Sequence, residues 1–105
     1  MASEFKVVIL EPAAIDIEEI RDFNESKKAG LGFEYLEDIL DCIERIQNNP
    51  KEFQYYQTLE IGIRRGLSKR FSVIILYDVD TEKQVVEIIT VADSGQDWNK
   101  ETKSN

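Results

Sequence analysis

The sequence predicts an α+β domain in which a helical hairpin packs on one face of a mainly antiparallel four-stranded sheet. Three observations predict it. Two long stretches, about 12–28 and 31–48, repeat apolar residues every three to four positions, the signature of amphipathic helices. The link between them at Ala29-Gly30 is short, which makes neighbouring helices antiparallel. One run rich in β-branched residues precedes the helices, and three more, separated by short turns, follow Pro50. The element order is therefore β-α-α-β-β-β. Consecutive strands on short turns give an antiparallel meander, and the apolar stripes of the hairpin need a sheet face on which to bury.

Phe5 to Leu10 reads as the first strand. Pro12 suits the first turn of a helix, where a missing N–H costs nothing. The helix is expected to run to Lys28, with Ala13, Ile17, Ile20 and Phe23 or Asn24 inward and Asp16, Glu18, Glu19, Asp22 and Glu25 outward. Gly30 is expected to cap its C-terminus after two lysines. The second helix is expected over Leu31 to Asn48, with Phe33, Leu36, Ile39, Leu40, Ile43 and Ile46 as its stripe and Glu34, Glu37, Asp38, Asp41 and Glu44 outward. Asn48-Asn49-Pro50 ends it. A loop carrying Phe53, Tyr55 and Tyr56 leads to a half-buried strand over Leu59 to Arg64, then a turn at Gly66 to Lys69. Phe71 to Tyr77 is nearly continuous in apolar residues and reads as a central strand covered on both faces. Asp78 to Lys83 is the next turn and Val85 to Val91 the last strand. One domain is expected over residues 1–98, with a polar tail over 99–105 whose final residues are expected to be disordered.

Composition narrows the function classes. The chain of 105 residues carries 21 acids, 13 bases and no histidine, for a net charge of −8. Residues 1–50 account for −7 of this and residues 51–105 for −1. Such a balance argues against a duplex-DNA-binding surface, which needs broad positive charge. The lack of histidine removes the commonest general base and metal ligand. With a single cysteine, Cys42, no zinc site and no internal disulfide are expected. No cofactor is expected either. No window reaches the roughly eighteen apolar residues of a membrane span. The opening residues read as the approach to a strand rather than a signal peptide, so the expected location is cytoplasmic.

Against this acidic background, Arg64, Arg65, Lys69 and Arg70 fall within seven positions. Read functionally, they form an anion-recognising edge, since arginine makes planar, bidentate contacts to phosphate or carboxylate. Read structurally, they are solvated turn residues, one of them paired with an acid such as Glu60. Tyr77 is either a proton donor or a core ring that hydrogen-bonds at the rim. Glu87, Asp93 and Asp97 would matter only if they converged on one point, and a solvated tail is the simpler account. Cys42, among Ile39, Ile43 and Ile46, reads as a small core residue. Trp98 is either a clamp against the sheet or part of a partner-binding patch.

The order of elements resembles the ParE/RelE superfamily of bacterial toxins from type II toxin–antitoxin systems, over roughly residues 5–98. Five segments carry the resemblance. Glu-Pro-Ala-Ala-Ile-Asp-Ile-Glu-Glu-Ile (11–20) is similar to the family's first helix, Gly-Leu-Gly-Phe (30–33) to its entry into the second, and Ile-Gln-Asn-Asn-Pro-Lys-Glu-Phe (46–53) to the exit from it. The stretch 63–77 resembles the pattern of one or two arginines, then Arg-Phe-Pro-Tyr, then a strand ending in Tyr. Asp97-Trp98 is similar to the closing Asp-Pro-x-x-Trp. Ser72-Val73 stand where the family has Pro-Tyr, and Asp93 to Gln96 stand where a His and an Arg are common. The resemblance implies a ParE-like, plasmid-stabilisation toxin that binds DNA gyrase and is neutralised by a cognate antitoxin. The cations at 64–70 and Trp98 would be its binding residues. A RelE-type ribosome-dependent mRNA endoribonuclease is the enzyme alternative, with Arg64, Arg65, Lys69 and Arg70 as phosphate binders and Tyr77 as candidate acid. A relative that has lost toxicity is the third.

Overall fold

The computed structural model describes residues 5–53 and 62–93. The elements follow the order β1 (Lys6–Ile9), α1 (Glu11–Lys27), α2 (Leu31–Asn48), β2 (Arg64–Leu67), β3 (Ile74–Asp80) and β4 (Val85–Ala92). They form one four-stranded sheet in the spatial order β1-β4-β3-β2. The pairs β2–β3 and β3–β4 are antiparallel, while β1 lies parallel to β4 with Lys6 opposite Val85 and Ile9 opposite Ile88. The helical hairpin covers one face, α1 over β4 and α2 against β2.

The core fills the space between hairpin and sheet. Ala13 and Ile20 of α1 and Ile39, Cys42, Ile43 and Ile46 of α2 pack with Ile75, Tyr77, Val86, Ile88 and Val91. The register between β3 and β4 shifts between Leu76 and Tyr77, so that Leu76 pairs with Thr90 and Tyr77 with Ile88. Ile89 is the additional residue. Such a bulge reverses which alternate positions face inward. Val86 and Ile88 are buried before it and Val91 after it, so both ends of β4 present apolar side chains to the same core.

The helix boundaries agree with the periodicity to within a residue at each end. The rotation of the stripes differs. In α1, Asn24 takes the inward position and Phe23 is 58% exposed. The Asn24 side chain stays inside by donating from Nδ2 to Ile20 O at 2.8 Å. In α2, Asp38 and Cys42 turn inward while Phe33 and Leu40 are exposed. The rotation follows from two close approaches. Gly32 lies so near α1 that a Cβ there would sit 2.4 Å from Arg21 O. Farther along, α2 meets β2 where Gly66 lies under Ile46 and Cys42.

Gly30 serves the second helix rather than the first. The first helix ends at Lys27, Lys28 is extended, and Gly30, at φ +90°, is the N-cap residue of α2. It has no side chain to offer the unpaired N–H groups there, and Glu25 of α1 supplies one. Its carboxylate accepts from Gly30 N and Gly32 N, each at 2.9 Å.

The strands after Pro50 differ most from expectation. The paired strand is Arg64–Leu67, and the turn expected at Gly66 to Lys69 begins at Ser68. Residues 54–61, including the first half of the expected strand, lie outside the described residues. The central strand starts at Ile74 rather than Phe71 and continues to Asp80, with Val79 opposite Val86. Asp78 and Asp80 suggest a turn, yet both are exposed while Val79 packs on the core, which is the alternation of a strand.

Gly32→Ala is expected to destabilise the fold by about 2 kcal/mol or more, because the added methyl meets backbone that cannot yield without separating the helices. Urea unfolding followed by circular dichroism measures this, and an unchanged midpoint would show that the hairpin relaxes freely.

Candidate functional site

The four clustered cations sit on β2 and the turn after it, and the fold separates them. Antiparallel pairing places Arg64 opposite Tyr77 and Arg65 opposite Leu76, so the two arginines stand on opposite faces of the sheet. Arg64 lies on the helix side and donates from Nη1 to Phe53 O at 2.6 Å. Its neighbour Tyr77 is fully buried and donates its hydroxyl to Pro50 O. Burial pushes the Tyr77 hydroxyl well above the ordinary tyrosine range, with Arg64 pulling weakly the other way. Its ring meets Phe53 edge-on at 6.5 Å. Arg64 and Tyr77 thus hold the segment that leaves α2. Arg65 is exposed on the other face, two residues from Leu67, which is also exposed.

The turn from Ser68 to Val73 is organised by Asp38 of α2. This carboxylate is buried and accepts three hydrogen bonds, from Ser68 Oγ at 2.6 Å, Phe71 N at 2.7 Å and Arg70 N at 3.1 Å. Ser68 closes the turn on itself. Its N–H donates to Val73 O at 2.9 Å and its Oγ accepts from Val73 N at 2.7 Å. Burial acts to raise the Asp38 pKa, but the hydrogen bonds from Ser68, Phe71 and Arg70 and the nearby Arg70 charge outweigh it. They hold the carboxyl below the usual range. Ser72 takes φ +56° inside this turn. Proline is locked near −65°, so this backbone cannot accept the Pro of the resembled pattern, and serine here is a consequence of the turn's shape.

Beyond the turn, Arg70 is exposed, pairs with Glu34 of α2, and places its guanidinium 4.8 Å from the Phe71 ring centre. Phe71 in turn stacks on Tyr35, centroids 3.9 Å apart and planes 8° from parallel. Lys69 borders a shallow cleft with Glu34, Glu37 and Asp41. The acids of α2 therefore face two of the four cations. The fold does not bring all four to one anion site. It leaves Arg65 exposed on β2 and Lys69 and Arg70 on the turn that Asp38 holds.

A second concavity lies between α1 and the C-terminal end of β4, lined by Asp16, Ile20, Phe23, Lys27, Val91 and Asp93. Asp16 ties the helix to the strand just beyond the bulge, accepting from Thr90 Oγ1 at 2.8 Å and Val91 N at 3.0 Å. Asp93 is near enough to Tyr35 to help raise its hydroxyl pKa, although burial is the larger cause. Among the described residues no acid, cysteine or histidine cluster could hold a metal ion, and no helix is long and apolar enough to cross a membrane. Cys42 is buried, and burial pushes its thiol up to about 11. Asp97 and Trp98 lie outside the described residues.

Sequence reasoning placed Asp38 on the solvated face. The signal it missed was an acid three positions from the apolar Tyr35, with a Ser-x-x-Phe turn elsewhere in the chain needing an acceptor. Nothing in the linear pattern joins the two.

The family model described as ParE toxin of type II toxin-antitoxin system, parDE, matches residues 7–98. No curated protein matches the chain. Among solved structures the chain is similar to one from the chromosomal ParDE TA system of P. aeruginosa, at a TM-score of 0.69 and 15% identity, covering 85% of this chain and 95% of that one. It is similar to one from the toxin-antitoxin complex RelBE2 of Mycobacterium tuberculosis, at 0.65 and 16%, covering 91% and 97%. A chain of the archaeal RelE-RelB complex from Pyrococcus horikoshii OT3 matches at 0.54 and 10%, covering 89% and 98%. At these identities the structural likeness is one of fold.

Two outcomes follow from the turn. Asp38→Asn leaves one acceptor oxygen for three donors and should cost about 2–3 kcal/mol. Because the folded carboxyl titrates below its unfolded value of about 3.9, its contribution is present above that pH and lost as pH falls through the folded value. Wild type should therefore lose stability below about pH 4 more steeply than D38N, and acid titrations of both by circular dichroism check it. Ser72→Pro should cost about 3 kcal/mol or more, whereas Ser72→Gly should be neutral or stabilising by up to about 1 kcal/mol. Thermal melts showing S72P as stable as wild type would contradict the left-handed turn.

Proposed function

This chain belongs to the ParE toxin family of type II toxin–antitoxin systems, and we propose that it works in the cytoplasm as the toxin of such a module, binding DNA gyrase rather than cutting a substrate, and is neutralised by a cognate antitoxin. The observation that carries the choice of binding over cleavage is the Arg64–Tyr77 pair. Both side chains are spent on carbonyls of the segment after α2, Arg64 on Phe53 O and Tyr77 on Pro50 O. A general acid must reach the proton acceptor of its substrate, and a buried phenol already given to a carbonyl is poorly placed for that. With no histidine in the chain, the ribonuclease reading is left with cations and no placed acid–base partner.

The rigid edge formed by Arg65, Lys69 and Arg70 suits protein recognition. Arginine in a fixed setting offers a planar fork to carboxylates, and Arg70 already pairs with Glu34 through Nη2. Among the described residues the strand β2 has one paired neighbour, β3, and its other side is an edge that an extended partner segment can join.

Expression in a growing host tests this. Growth arrest with loss of DNA supercoiling is expected, and arrest with cleavage of translated mRNA would overturn the gyrase reading in favour of the ribonuclease. The double substitution Arg65→Ala and Lys69→Ala should change stability by less than about 1 kcal/mol and weaken binding to the target or the antitoxin roughly tenfold. Unchanged binding would reduce the edge to turn chemistry.

A further inference from the structure

We propose that the outer face of the sheet, turned away from the helical hairpin, is covered by the chain's own C-terminal segment, with Trp98 seated on Leu76 and Ala92. The observation that demands a cover is the burial of those two side chains. Ile75, Tyr77 and Val91 point into the core, so strand alternation turns Leu76 and Ala92 to the opposite face. Neither belongs to the core between hairpin and sheet, yet Leu76 is 4% exposed and Ala92 3%. A leucine on an uncovered antiparallel face keeps part of its side chain in water. Asp78, two residues along the same face of β3, and Glu87 opposite it are exposed. Leu67, on β2 opposite Ile74, is 41% exposed. The cover is therefore local. It lies over β3 and β4 at the end where β4 terminates, and it stops short of β2 and of the Asp78 end.

Three stretches of chain, 1–4, 54–61 and 94–105, lie outside the described residues. Residues 1–4 span about 13 Å when fully extended. They precede the end of the sheet where Lys6 faces Val85, seven residues or roughly 23 Å from Ala92. The stretch 54–61 leads to Gly62, which lies beside Asp78, at the end of the face that is exposed. The segment 94–105 instead starts next to the buried patch. Ser94-Gly95 favours a turn, which sends the chain back over the sheet. Trp98 is the only apolar side chain after Ala92. The chain from Asp93 to Trp98 can span about 17 Å, while Leu76 lies one strand and two residues from Ala92, roughly 8 Å. An indole buries on the order of 200 Å², and a leucine beside an alanine gives it a flat apolar seat. The family model matches as far as residue 98, so the chain up to the indole falls within the matched domain.

The cover has a consequence for recognition. With β3 and β4 closed on this face, a partner meets the sheet at β2, where Leu67 is exposed. That consequence rests on the proposed function; the cover itself does not.

Trp98 is the single tryptophan of the chain, so its fluorescence and its indole signal report on the cover directly. In the ¹³C,¹⁵N-labelled full chain, nuclear Overhauser contacts are expected from the indole to the methyl groups of Leu76 and Ala92. Iodide should quench the fluorescence of the folded chain less than that of the urea-unfolded chain. Trp98→Ala should shift the amide signals of Leu76 and Ala92 and leave those of Glu82 and Lys83, before the far end of β4, in place. Indole contacts to the hairpin, quenching equal to that of the unfolded chain, or unmoved Leu76 and Ala92 signals in W98A would each overturn the proposal. Protection lost on dilution would assign the cover to a second copy and overturn it as well. The amide spectrum shows whether W98A is folded, and the contacts and quenching of the unaltered chain need no variant. Growth arrest with an unprotected indole would remove the cover and leave the toxin reading; a protected indole without arrest would do the reverse.

Discussion

The buried carboxylate of Asp38 is the constraint on which the functional end of this molecule depends. It takes hydrogen bonds from one hydroxyl and two backbone N–H groups of a turn thirty or more positions away. A carboxylate is removed from water only when its oxygens are well satisfied, and here the satisfying donors belong to a turn that also meets α2 through the Arg70–Glu34 pair and the stack of Phe71 on Tyr35. The interaction therefore works in both directions. It makes an inward acid tolerable on α2, and it makes the turn between β2 and β3 a single conformation. That conformation includes Ser72 in the left-handed region. It also sets where β3 begins, since Val73 is consumed by Ser68 and pairing can start only at Ile74.

A second set of ties holds the other side of the same strand pair. Tyr77 and Arg64, cross-strand neighbours, each donate to a carbonyl in the chain leaving α2. Of the residues that look most like catalytic groups in the linear sequence, Arg64 and Tyr77 thus each donate to an internal carbonyl. This bears on mechanism because hydrogen-bonding groups at a catalytic centre have to be free for the reacting atoms, while the same groups in a binding module can be structural. What is left to meet a partner is the charge displayed by the rigid turn and by the helices.

Those displayed charges are unlike on neighbouring surfaces. Strand β2 carries Arg65 and the turn after it Lys69 and Arg70, partly faced by Glu34, while α1 and the end of β4 line an acidic groove against the ring of Phe23. A strongly acidic chain with a local basic edge attracts partners by patch rather than by net charge. Patches of opposite sign fix the orientation in which a partner can bind more than they add to its affinity. Membership of the ParE toxin family supplies the setting, the toxin of a type II toxin–antitoxin system. The rigidity of the turn and the separation of the patches are the physical means available for orienting a partner.

The sequence by itself determined the element order, the extent of both helices and the inward role of residues such as Ile20, Ile39 and Ile46, because burial of an apolar stripe is a local rule with a period that can be read along the chain. It also determined the family, through the spacing of short segments that no single residue carries. Only the tertiary structure decided that Asp38 faces inward, that Phe23 and Phe33 face outward, that Arg64 and Arg65 part to opposite faces, and that β1 lies parallel against β4. Each of these depends on a contact between residues far apart in sequence: Asp38 with the 68–73 turn, Gly32 with Arg21 O, the one-residue shift opposite Leu76. A hydrophobic pattern states that a face is buried, but the rotation of that face is settled by the few close approaches and buried polar bonds the partner element supplies, and those donors and surfaces exist only once the chain has folded.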